Sequence, residues 1–217
     1  MLVMIAGLLA AAWWLWWVPN WRPSLGDSES YGIDVSAHQN DIDWRQVAND
    51  DIEFAYIKAT EGGDFVDNRF ADNWAGAAEA GLERGAYHFF TLCAPGDIQA
   101  MNFLHAAAPD PSALPPAVDL ELAGNCADRP PPDEVLAELT TFLRIAEDAW
   151  NKEVILYVGS DFESRYPVQN QLDRPLWLRR FLLRPENDRW RIWQLHGYAR
   201  VDGIQGGVDL DVMRVSP

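Results

Sequence analysis

Lysine is nearly absent. Lys58 and Lys152 are the only two in 217 residues, and the 17 basic residues face 33 acids, for a formal charge of −16. Without a basic stripe there is no electrostatic footprint for a phosphate backbone, which excludes nucleic acid as a partner. Cysteine is equally scarce. Cys93 and Cys126 are too few for a four-ligand structural zinc site, so they form either one disulfide or two buried thiols. His38, His88, His105 and His196 are scattered, with no second histidine at metal-ligand spacing. A phosphate-cradling Gly-rich loop and a Gly-x-Ser-x-Gly elbow are both missing, which removes nucleotide and serine-nucleophile chemistry. No metal and no cofactor is expected. Repeats and low-complexity segments are missing too. What is left is an ordinary globular mixture, 48% hydrophobic and 23% charged, long enough to bury the core of one barrel-sized domain.

The one long uncharged stretch lies at the N-terminus. Residues Met1 to Val18 carry no charge, and Trp13, Trp14, Trp16, Trp17 and Trp21 cluster at its end. About 20 apolar residues span a bilayer, and tryptophans suit the headgroup level. Residues 1–21 are therefore expected to be a signal anchor holding the chain at a membrane. A signal peptide cut after Ala10-Ala11-Ala12 is the alternative. Both imply export to a periplasmic or extracellular face, where a cysteine pair can oxidise. Residues 22–30, rich in Pro, Ser, Gly and acids, read as a linker.

From residue 31 to 217, β-rich runs recur at 31–35, 53–59, 86–90, 117–122 and 153–158. Helical patterns fall between them at 44–48, 68–80, 97–107 and 133–150, with a short one near 161–166. This alternation predicts right-handed βαβ units and a parallel sheet. Candidate strands at 175–179, 189–195 and 208–213 follow, with gaps too short for crossover helices. Eight strands that lose their helices late predict a modified (β/α) barrel, ahead of an open doubly wound sheet. In a barrel the chemistry sits at the C-terminal strand ends.

The fourth strand run reads Ala117-Val118-Asp119-Leu120-Glu121-Leu122. Strand alternation puts Asp119 and Glu121 on one face, with Cα atoms roughly 7 Å apart. Two carboxyls on an inward face are costly unless they work, and each raises the pKa of the other. Such a pair can keep one carboxyl protonated as a general acid. Asp34 on the first strand, and Asp209 and Asp211 on the last, have matching positions, and those two strands adjoin in a closed barrel. His88 reads as a core histidine, and Trp177 and Trp193 as packing.

The ordered set Gly32-Ile33-Asp34-Val35-Ser36, Tyr56-Ile57-Lys58-Ala59-Thr60-Glu61-Gly62, Gly85-Ala86-Tyr87-His88-Phe89, Asp119-Leu120-Glu121, Leu156-Tyr157, Trp193-Gln194 and Val208-Asp209-Leu210-Asp211 resembles glycoside hydrolase family 25, the Chalaropsis-type lysozymes. The resemblance runs over essentially all of residues 31–217. It implies an α/β fold, a TIM-like (β/α)5(β)3 barrel, and hydrolysis of the β-1,4 bond between N-acetylmuramic acid and N-acetylglucosamine in peptidoglycan. By motif, Glu121 is the general acid and Asp119 supports it and the substrate acetamido group in a substrate-assisted, retaining mechanism. Asp34 and Asp209 line the same pocket, and Lys58, Glu61, Tyr87, Tyr157 and Gln194 match substrate-binding walls. In that architecture Cys93 and Cys126 both emerge on the catalytic face, just past adjacent strands, and a bridge between them is expected. Two features depart from the family pattern. Asp211 stands where the family usually has Asn, and the sixth strand run carries Arg179 and Arg180 in place of an Ala-rich run. Competing readings are a non-catalytic glycan-binding module on the same barrel and a chitinase-like glycosidase. The oligomeric state is not legible.

Overall fold

The computed structural model describes residues 2–186 and 188–214, with the backbone alone at 2–6 and 8–11. Nine strands form one sheet: β1 (Glu29–Val35), β2 (Ile52–Glu61), β3 (Phe65–Val66), β4 (Glu83–Phe89), β5 (Ala117–Leu120), β6 (Ile155–Val158), β7 (Leu176–Arg179), β8 (Trp190–Ala199) and β9 (Val208–Arg214). Their order is β1-β9-β8-β7-β6-β5-β4-β2-β3, and a further β1–β2 pairing closes eight of them into a barrel, leaving β3 as a short hairpin arm on β2. The helices are α1 (Leu2–Asn20), α2 (Trp44–Asn49), α3 (Phe70–Glu79), α4 (Gly96–Ala106), α5 (Pro132–Trp150) and α6 (Ser160–Arg165). One helix follows each of the first five barrel strands, and none separates the last three. The predicted (β/α)5(β)3 barrel is the observed one.

Neighbouring barrel strands from β1 round to β8 pair in parallel, whereas β9 runs antiparallel to both β8 and β1, and the β3 arm antiparallel to β2. The short loop between β8 and β9 leaves no room for a crossover, so the chain must return as a hairpin. Asp209 consequently reaches the catalytic face from the start of its strand, while Asp34 and Glu121 reach it from strand ends.

Two apolar clusters fill the molecule. The larger lies between barrel and helices. There α5 shows how the sequence builds its layer: Pro132 opens it, Asp133 and Glu134 sit in the first turn, and Val135, Leu139, Phe142, Leu143, Ala146 and Trp150 form the buried stripe. Acids in the first turn suit the helix dipole, and each large apolar group in the stripe contributes about 1.5–3 kcal/mol by burial. Asn151, with φ 52°, ends the helix in a left-handed cap. The smaller cluster plugs the barrel interior with Phe54, Tyr56, Ile155, Tyr157, Trp177, Ile192 and Met213. Gly32 and Gly85 make room for it: a Cβ on either would lie 2.3 Å from the ring of Phe54 or Tyr56.

The N-terminal segment packs on the barrel. Val18 is buried, the Pro19 carbonyl accepts from the Arg200 N–H at 2.9 Å, and Trp14 meets Phe181 with ring centroids 6.4 Å apart. The expected anchor at 1–21 falls partly on Met1 and on the side chains of 2–6 and 8–11, which lie outside the described residues. Among the described residues no helix is long and apolar enough to cross a membrane. The stretch 22–30, expected as a linker, is tied down at several points. Arg22 pairs with Asp50 at 2.8 Å, Glu29 with Arg184 and with Arg214, and β1 already begins at Glu29.

Candidate active site

At the catalytic face the strand ends surround a cleft of about 360 Å³. Asp34 from β1 and Asp209 from β9 are register partners, so their side chains meet across the seam that closes the barrel. Asp119 is in register with Tyr157 of β6, and Glu121 follows just beyond the end of β5. All four acids line the cleft together with Lys58, Tyr87, Tyr157 and Gln194.

Glu61 is the exception among the expected residues. It does not line the cleft; its carboxylate accepts from Lys58 Nζ at 2.7 Å and holds that ammonium in place. The Lys58 cation also sits 5.1 Å from the centre of the Phe89 ring. The anchoring of Asp34 is more elaborate. Tyr157 donates its hydroxyl proton to Gln194 Oε1 at 3.1 Å, which turns the Gln194 amide nitrogen towards Asp34 Oδ2, at 2.8 Å. Asp119 lines the cleft, and its Oδ1 is buried and meets no protein donor.

Burial is the main cause that raises the pKa of each acid, because desolvation penalises the charged form. Asp34 and Asp119 stand well above the ordinary range, burial being reinforced by Asp209 for the first and by Glu121 for the second. Glu121 is raised by burial, with Asp161 and Asp209 adding to it and Arg179 opposing. Asp209 is raised by burial against the pull of Arg179. A crowded set of carboxyls retains protons that isolated ones would lose, which is what a general acid near neutral pH requires.

Arg179 was not among the expected site residues. It ends β7 in register with Gln194, lines the cleft and acts on Glu121 and Asp209. The alternation of Trp177 and Arg179 on that strand is the signal that places both on the inner face. Trp177 is buried as expected, yet its Nε1 donates to Asp211 Oδ1 at 3.0 Å, beneath the cleft. His88 is the core histidine that its surroundings predict. Gln99 Oε1 accepts from its Nε2 at 3.1 Å, Thr60 lies 2.7 Å from its Nδ1, and burial lowers its pKa to about 4. Cys93 and Cys126 form a disulfide with Cα atoms 6.1 Å apart, tying the loops after β4 and β5.

The family profile described as glycosyl hydrolases family 25 matches residues 33–206. The chain belongs to this family. It is a glycoside hydrolase. Among curated relatives, protein YegX of Escherichia coli K12 is 36% identical over 190 residues, covering 84% of this chain and 68% of its own. Lysozyme M1 of Streptomyces globisporus is 29% identical, with 82% and 65% covered. A family 25 glycosyl hydrolase from Bacillus anthracis superposes with a TM-score of 0.80 at 30% identity, covering 89% of this chain and 93% of that one. The bacterial lysozyme of Streptomyces coelicolor gives a TM-score of 0.79 at 28% identity. Among the described residues no group of side chains is arranged to hold a metal ion.

Proposed function

We propose that this family 25 hydrolase is an exported N-acetylmuramidase that cleaves the β-1,4 bond between N-acetylmuramic acid and N-acetylglucosamine in peptidoglycan. The observation that carries the proposal is the Asp119–Glu121 pair at the end of β5, both carboxyls raised by burial in one cleft with Asp34 and Asp209. Glu121 keeps its proton and delivers it to the glycosidic oxygen as the bond to the leaving sugar breaks. Asp119, which lines the cleft, accepts from the N–H of the acetamido group. The acetamido carbonyl oxygen then attacks the anomeric carbon and forms a cyclic intermediate. Water opens that ring while the Glu121 carboxylate takes its proton, which gives net retention.

Asp34 and Asp209 orient the pair, and Tyr87 and Tyr157 offer ring surface to the sugars. Lys58, held by Glu61, supplies a cation beside Asp119. Gln194 holds Asp34 in place. Support for peptidoglycan as substrate comes from the relatives named lysozymes, and support for export from the disulfide, a bond that persists in oxidising compartments. Attachment of residues 1–21 to a membrane has no such support and forms no part of the proposal.

The test is to incubate the full chain with purified peptidoglycan, reduce the products with borohydride and read them by mass spectrometry, beside Glu121→Gln. Reduced muramitol ends, absent with the variant, are expected. Reduced glucosaminitol ends would transfer the activity to the other glycosidic bond. Muramitol release by Glu121→Gln at the parental rate would remove Glu121 from the role of acid.

A further inference from the structure

Asp211 is a fifth acid beside the four in the cleft, and it lies behind them. Its residue is fully buried, in register with Gly32 of β1 and Gln194 of β8. Oδ1 accepts from the Trp177 indole, but Oδ2 is buried and meets no N–H or hydroxyl donor. Its acidic neighbour across the seam is Asp34, two positions along β1 from the register partner of Asp211 and on the same face, and the two carboxyls act on each other. Two carboxylates cannot hydrogen-bond to each other, since both only accept. A hydrogen bond between them needs a proton on one.

The surroundings decide which. Asp34 Oδ2 already accepts from the Gln194 amide, whose orientation is fixed by the Tyr157 hydroxyl. Asp34 also opens to the cleft, whereas Asp211 has no exposed surface. The anion is better tolerated at Asp34, so the proton belongs to Asp211. The groups facing Asp211 agree: Asp34 on β1, Asp209 on its own strand, the Tyr56 phenol on β2, the Trp177 indole on β7 and the Gln194 amide on β8. The cleft cations Lys58 and Arg179 act on Asp119, and on Asp209 and Glu121.

We propose that Asp211 is a positioning residue acting as a neutral carboxylic acid, which donates its proton to Asp34 and holds that carboxylate in register with Asp209. Asp34 then accepts from two sides, Gln194 and Asp211, and cannot turn away from the cleft. An asparagine amide would donate in the same place without ever titrating. The carboxyl makes the same hydrogen bond conditional: once its proton is lost, two buried anions repel across the β1–β9 seam. The catalytic part of this inference rests on the glycosidase reading of the cleft; the protonation part does not.

The test uses the full chain with Asp211→Asn and Asp211→Leu. Thermal unfolding from pH 5 to pH 9 needs no substrate. If the folded protein retains this proton and the unfolded chain has lost it, the parent loses roughly tenfold in its folding constant per pH unit for that one proton. Asp211→Asn should escape that loss, so its advantage over the parent grows as pH rises. A pH-independent offset between the two would overturn the proposal. On peptidoglycan, Asp211→Leu should lower kcat about tenfold or more with little change in KM, and Asp211→Asn should restore kcat. Equal kcat values for Leu and Asn at this position would remove the positioning role. Should the parent release no fragments from peptidoglycan, the muramidase reading fails, and the thermal series still decides whether the Asp34–Asp211 pair retains a proton in the folded protein.

Discussion

At the residue scale, a short strand carries the two acids proposed for catalysis, and they were legible because strand geometry alternates. Asp119 and Glu121 share a face by spacing alone, and an acid on an inward face is conspicuous. Arg179 was hidden by its company. In a run with Arg180 and Arg184 an arginine is usually solvated, and the alternation with Trp177 singles out Arg179 only once the register of β7 against β8 is known. Its position gives a prediction. Arg179 lowers the pKa values of Glu121 and Asp209 against the larger upward effect of burial. Arg179→Met should therefore let Glu121 hold its proton to higher pH. The alkaline limb of kcat should move upward in a pH–rate profile, by less than one unit since the guanidinium is exposed to water. A limb that moves down would mean that Arg179 is not the cation facing Glu121.

At the element scale, strands and helices with internal periodicity were legible and pieces without it were not. Two residues of β3 are too few to show alternation, and nothing in Val208–Arg214 says that the strand runs backwards; the tight connection from β8 imposes that. The barrel plug offers one test. Gly32→Ala places a methyl group 2.3 Å from the Phe54 ring, inside an interior with no slack, and should cost about 1–3 kcal/mol in denaturant unfolding through overpacking. The catalytic-face loops offer another. The Cys93–Cys126 bridge closes 33 residues of sequence, and replacing both cysteines by serine should lower stability by about 2–4 kcal/mol. Asn125 still binds Phe90 O and Leu92 N–H across the same gap, so the fold should survive the replacement.

At the scale of the whole molecule, charge sets how stability follows pH. The raised carboxyls bind protons in the folded state that the unfolded chain has released above its ordinary value near 4, so they favour folding at low pH and cost stability as pH rises. His88 works the other way. Folded at about 4 against an ordinary 6.5, it weakens folding below that window and ceases to matter above it. Asp110, held at about 2 by Ser112 and Arg84, contributes stability that is lost only in stronger acid. Above about pH 6.5 His88 no longer contributes, and any proton that the folded carboxyl cluster still holds makes Tm fall as pH rises. A flat profile would mean that those acids are already ionised at neutral pH. The closed barrel itself was legible from strand count and missing helices. The packing of Trp14, Val18 and Pro19 against the barrel domain was not, since an uncharged tryptophan-rich run reads the same against lipid or protein.

The antiparallel return of β9 has a consequence in time. The strand that seals the barrel against β1 also brings Asp209 and Asp211, more than 170 positions after Asp34 in order of synthesis. A growing chain emerging from the ribosome at about 5–20 residues per second can shape its helices and parallel strands early. It has neither a sealed wall nor a complete set of acids until that final ribbon slides into the gap. A nascent or clipped form that lacks β9 is therefore expected to be inert, because two acids of the cluster and one wall of the barrel are missing from it.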